Sequence, residues 1–78
     1  MGGMNALYHR PGESIYAKRL RDKMQEKGLN PVTLGREAGI SNYCIYSQLR
    51  EERTPDAVTL AGLADALGVS MDWLWGRI

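Results

Sequence analysis

The sequence predicts an all-α fold, a compact bundle of five short helices, and three observations predict it. The apolar residues are mostly Leu, Ala, Ile, Val and Met, with no phenylalanine, a composition that suits helices better than strands. They recur at helical spacing, most plainly as Leu60, Leu63, Ala64 and Leu67 at i, i+3, i+4 and i+7. Tight Gly, Ser and Pro punctuation separates the periodic stretches, as helix caps and stops require.

Residues 1–13 (MGGMNALYHRPGE) show no period and are read as a flexible arm, leaving 14–78 as one domain. Ala6 stands where a myristoylation signal would want Ser or Thr, and His9 and Arg10 read as a solvated tail rather than a minor-groove arm. Ser14 caps a first helix running to about Lys27, with Ala17, Leu20 and Met24 on one face and Ile15 or Tyr16 joining them. Gly28 stops it, and Leu29 supplies the apolar contact that accompanies such stops. Asn30-Pro31 opens a short second helix through Ala38, because proline at the first helical position gives up an N–H that has no partner there anyway. Gly39 ends it. Ser41 caps a third helix to about Arg50, with Ile45 and Leu49 inward. The charged loop EERTP follows, then a fourth helix begun by Thr54-Pro55 or Asp56 and closed by Gly68. Ser70 caps a last short helix, with Asp72 in its first turn.

The second and third helices form the informative unit. Gly35, Gly39 and Ile45 lie at spacings with mechanical reasons: a close approach that demands a tiny side chain, a left-handed hinge, and a branched aliphatic that pins the next helix. Leu34, Ala38 and Ile40 fill the space between. This spacing resembles the Cro and phage-repressor family of helix-turn-helix proteins. The resemblance extends to Lys27-Gly28-Leu29, to Thr54-Pro55 with Thr59-Leu60, and to LADALGVSMDWLWG over residues 63–76, without gaps from about Ala17 to Gly76. It implies a lambda-repressor-like DNA-binding domain. Two departures stand out. Pro31 occupies a position where the family often has a phosphate-contacting Gln, leaving backbone N–H groups with Asn30 and Thr33 for that role. Gln48 stands where the family tends to have a large apolar residue, so Leu49 is expected to make the core contact and to turn the end of the helix.

With Ile45 and Leu49 inward, Asn42, Tyr43, Tyr46 and Ser47 are the expected base contacts, chemically suited to adenine edges, thymine methyls and phosphates. Asn30, Thr33, Arg36, Arg50, Arg53 and Thr54 are the expected backbone contacts, with Glu51 and Glu52 turned away. Met71, Leu74, Trp75 and Ile78 recur at i, i+3, i+4 and i+7 and suggest a dimer surface, while Trp73 is expected to complete the core.

Composition narrows the rest. Ten Lys+Arg against nine Asp+Glu, a net charge of +1, argue against a non-specific polyanion binder but not against a sequence reader. One cysteine, Cys44, excludes a disulfide within the chain and reads as a small, partly buried filler. With one His, no zinc set can be assembled, and no nucleophile–base pair points to an enzyme. No cofactor is expected, and no long apolar run suggests a membrane segment, so the expected location is the cytoplasm. The sequence therefore predicts a DNA-binding transcriptional regulator, a phage- or prophage-type repressor acting as a homodimer on a palindromic operator. Two alternatives remain: a protein–protein module such as an antitoxin, and the N-terminal DNA-binding part of a longer repressor.

Overall fold

The computed structural model describes residues 13–78, and those residues form five helices and no strand: α1 (Ile15–Glu26), α2 (Pro31–Ala38), α3 (Asn42–Leu49), α4 (Ala57–Leu67) and α5 (Met71–Trp75). The arm expected over 1–13 lies outside the described residues, with His9 and Arg10, except for its last member. Glu13 is ordered with the domain, its carboxylate bridging both terminal nitrogens of Arg21.

Every helix starts on a side-chain cap. Ser14 Oγ accepts from the Ala17 N–H at 3.1 Å, Ser41 Oγ from Cys44 at 3.2 Å, Asp56 Oδ1 from Thr59 at 2.8 Å and Ser70 Oγ from Trp73 at 3.0 Å. At α2 the cap is reciprocal: Asn30 Oδ1 accepts from the Thr33 N–H and Thr33 Oγ1 from the Asn30 N–H, both at 2.9 Å. Of the two starts left open for the fourth helix, Asp56 is the cap. α1 ends as its sequence implies, with the Leu29 N–H donating to the Met24 carbonyl at 2.8 Å across Gly28.

The core takes one or more fully buried side chains from each helix: Leu20, Leu34, Ile45, Leu63, Leu67 and Leu74, with Tyr16, Met24 and Ala64 around them. α2 packs between α3 and α4, while α5 closes the other side against α1 and α4. The open choice at the start of α1 falls to Tyr16, and Ile15 stays exposed.

The last helix corrects the sequence reading. Leu74, expected on a dimer surface, is fully buried, and Trp73, expected to complete the core, is only half-buried at its edge. A five-residue helix is little more than one turn and sends one large side chain inward; here the middle of the apolar stripe goes in. Trp73 lies instead beneath Arg19, whose guanidinium sits 4.5 Å from the ring centroid. The same guanidinium donates to the carbonyls of Trp73 and Ile78, which fastens the end of the chain to α1. Met71, Trp75 and Ile78 remain exposed. Among the described residues no helix is long and apolar enough to cross a membrane.

Candidate nucleic-acid interface

The unit that positions the candidate face is α2, the turn Gly39–Ile40–Ser41, and α3. Gly39 adopts φ 72°, ψ 32°, a left-handed conformation that reverses the chain at little cost only for glycine. The Ile40 N–H then reaches back to the Gly35 carbonyl at 2.9 Å. That return sets the demand at Gly35. A β-carbon there would lie well under 3.0 Å from the Ile40 carbonyl oxygen and 3.5 Å from both Asn42 N and Ile45 Cδ1. The crowding comes mainly from the turn's own backbone folding over α2, and only secondly from the partner helix. Leu34 and Ile45 are fully buried across this junction, and Ala38 and Ile40 pack half-buried against the same core. All six framework residues singled out in the sequence thus meet.

Counting about 100° per residue from Ile45, Asn42, Tyr43, Tyr46 and Arg50 occupy an arc between about 60° and 160°. All four are exposed, Tyr43 at 61% and Tyr46 at 43%. Ser47, Cys44, Gln48, Ile45 and Leu49 fill the rest of the circle, from about 200° round to 40°. Ser47, expected to contact bases, is therefore misassigned: it is 1% exposed and faces the protein.

Gln48 is the residue that the sequence reading misplaced. It is buried at 3% exposure, and its Oε1 accepts a hydrogen bond from the phenol of Tyr16, also buried, on α1. Leu49 does not replace it in the core; it packs half-buried beside it. A neutral amide can occupy an apolar position when a buried hydroxyl satisfies it, and Tyr16 supplies that hydroxyl from 32 residues away. Burial pushes the ionisation of Tyr16 far above the ordinary range for a phenol, so the O–H stays protonated and available to donate. No local signal around residue 48 announces this partner.

The expected backbone contacts divide. Arg36, Arg53 and Thr54 are exposed, and the Arg53 guanidinium lies 5.9 Å from the Tyr43 ring centroid, continuing the exposed face of α3. Arg50 is exposed too, but its Nε and Nη2 bond the Glu52 carboxylate at 3.0 and 3.4 Å, so that positive charge is shared. Glu52 accordingly stays beside the candidate face, contrary to the expectation that it turns away. Glu51 does turn away: its carboxylate accepts from the Ser14 N–H at 3.2 and 3.4 Å. Asn30 and Thr33 commit their oxygens to capping, and Pro31 has no N–H. Val32 is then the one residue in the first turn of α2 with an N–H not drawn into the cap or the helix, a smaller phosphate cradle than the sequence implied.

Among the described residues no three His, Cys, Asp or Glu side chains gather as a metal site, and Cys44 is half-buried with a free thiol. What the geometry defines is a small all-α domain with a closely packed helix–turn–helix unit and one exposed polar and aromatic helix face. No protein-family model matches the chain, and a search of curated proteins finds no significant match.

Proposed function

We propose that this chain is a sequence-specific DNA-binding transcriptional regulator of the Cro and phage-repressor kind, working in the cytoplasm. One observation carries the reading: Asn42, Tyr43, Tyr46 and Arg50 share a single exposed arc on a helix whose remaining face is buried through Ile45, Ser47 and Gln48. With its side chains an α-helix is about 10–12 Å across, which suits a major groove about 12 Å wide. In this reading Asn42 takes an adenine edge, Tyr43 and Tyr46 take thymine methyls or phosphates, and Arg53, Thr54 and Arg36 hold the backbone. Exposed Met71, Trp75 and Ile78, without Leu74, form the self-association surface. A two-fold dimer would set two α3 helices about 34 Å apart on a palindrome.

The deciding experiment is selection of bound duplexes from a random pool, followed by affinity measurement across salt. A palindromic consensus is expected, with log K falling by about 0.9 per phosphate contact for each log unit of salt. Failure to enrich any sequence, together with salt-insensitive behaviour, would refute the proposal.

A second reading has its own support. The Arg50–Glu52 pair lowers the positive charge of the face, and two exposed tyrosines suit a protein surface as well as a groove. A partner protein such as a toxin would then cover α3. Co-purification of a stoichiometric partner shielding Tyr43 and Tyr46, with no DNA shift, would favour it.

A further inference from the structure

A cleft of about 400 Å³ lies where the start of α1, the end of α3, the loop after α3 and the end of α5 meet. Ile15, Pro55 and Trp75 give it apolar walls, Gln48 stands within it, and Glu51 and Arg53 carry opposite charges at its edge. The Trp75 ring is 41% exposed and tilts against Tyr16, with centroids 5.4 Å apart.

The hydrogen bonding of Gln48 says what the cleft would take. The Tyr16 phenol is buried with the amide as its partner, so its O–H must donate and Oε1 must accept. The NH2 of Gln48 then has no acceptor among the described residues, although the residue as a whole is only 3% exposed. It is not sealed in either: among the described residues the buried side-chain atom left without a partner is Asp22 Oδ1. Gln48 lines a cleft of mixed polar and apolar surface, and a molecule that displaces water from this donor must offer it an acceptor.

We propose that this cleft binds a small, flat, uncharged aromatic molecule carrying a carbonyl oxygen. The ring lies along Trp75 and Ile15, and the carbonyl accepts from the Gln48 NH2. A carboxylate ligand fits less well, because Glu51 and Arg53 leave the cleft lining without net charge, and a carboxylate would bring an uncompensated negative charge into it. The binding step needs no DNA, but it shares Trp75 with the proposed self-association surface, so ligand and a second copy compete for that ring. Its consequence rests on the DNA reading: Gln48 lies in the last turn of α3, and Arg53 and Thr54 also line the cleft, so occupancy would alter operator affinity.

The test uses the chain without DNA, ¹⁵N-labelled, titrated with coumarin, with indole (flat and neutral, with no carbonyl) and with 2-naphthoate. Coumarin is expected to give saturable shifts at the Gln48 side-chain NH2 and the Trp75 indole N–H, with affinity about tenfold above indole, the worth of one net hydrogen bond. 2-Naphthoate should bind more weakly than coumarin. Gln48→Glu keeps an acceptor for Tyr16 but removes the donor, and should erase the preference for coumarin over indole. Should that variant fold poorly, Trp75→Ala, at an exposed position, is expected to weaken both ligands. Scattered or unsaturable shifts, equal affinity for coumarin and indole, tightest binding by 2-naphthoate, or an unaffected Trp75→Ala would each overturn the proposal. A separate operator titration with and without coumarin reads the coupling, and its failure leaves the binding result intact.

Discussion

Gly35→Ala is the sharpest probe of the α2–turn–α3 unit. In a free helix the change would stabilise by about 1 kcal/mol, because alanine is the better helix former. Here the new methyl meets the Ile40 carbonyl oxygen well inside 3.0 Å, and the opposing atom is backbone rather than the end of a flexible side chain. Ile40 cannot simply withdraw, because its N–H is bonded to the Gly35 carbonyl and its carbonyl leads directly into the Ser41 cap of α3. Overpacking of this kind costs about 1–3 kcal/mol, and a backbone clash belongs at the upper end. Subtracting the gain in propensity leaves a net loss of roughly 2 kcal/mol. For a domain of this size that lowers Tm by roughly 8–16 °C. Urea denaturation followed by far-ultraviolet circular dichroism, with a thermal melt, measures both. Gly28→Ala is the control, since a β-carbon there meets nothing within 4 Å and only the positive φ of 69° is penalised. A Gly35→Ala protein as stable as the parent, or less affected than Gly28→Ala, would refute the steric account of the turn.

Other expectations follow from the same geometry. Under the proposed function, Asn42→Ala or Tyr46→Ala should weaken binding to a selected operator by about 1–3 kcal/mol in fluorescence anisotropy while the melting curve stays unchanged. Arg53→Ala should weaken all duplexes alike and flatten the salt slope by about one, with discrimination between sequences preserved. Gln48→Leu strands the Tyr16 phenol and should cost about 1–3 kcal/mol, whereas the double change with Tyr16→Phe should cost less than the sum of the two; strict additivity in urea unfolding would deny the hydrogen bond. Asp56 is held below its ordinary 3.8 by the Thr59 N–H it caps. A lowered folded pKa means that this contribution is present above about pH 4 and is lost as the pH falls through the folded value. Asp56→Asn should keep the cap and remove that part of the acid dependence in melts recorded down the pH scale.

Which features could be read without the structure follows from the range of the interactions involved. Four of the five caps were legible because Ser14, Asn30, Ser41 and Ser70 each bond an amide three residues ahead, so donor and acceptor share a short stretch of chain; at the fourth helix the sequence left Thr54-Pro55 and Asp56 both open. The helix-turn-helix framework was legible for the same reason, since Gly35, Gly39 and Ile45 act within eleven residues. Gly35 also shows how a correct residue can carry an incomplete reason, because the turn's carbonyl, more than the crossing helix, excludes a side chain. Ser47 shows the opposite. Its small polar side chain looks like that of a surface residue, but α3 packs against both α1 and α2 and Ser47 is buried in the folded domain.

By itself, then, the sequence determined where most of the helices begin and end, that a short helix follows a glycine hinge, and that Asn42, Tyr43 and Tyr46 lie on a face turned away from Ile45. These depend on 3.6-residue periodicity and on hydrogen bonds between near neighbours. Tertiary structure alone decided how wide the buried arc of α3 is and which of Leu74 and Trp73 goes inside. Burial is set by what lies across the gap. The Tyr16 hydroxyl made Gln48 an interior residue, and Arg19 drew Trp73 to the edge while Leu74 took the core. Those partners come from α1, far away in sequence, so no pattern within α3 or α5 encodes them.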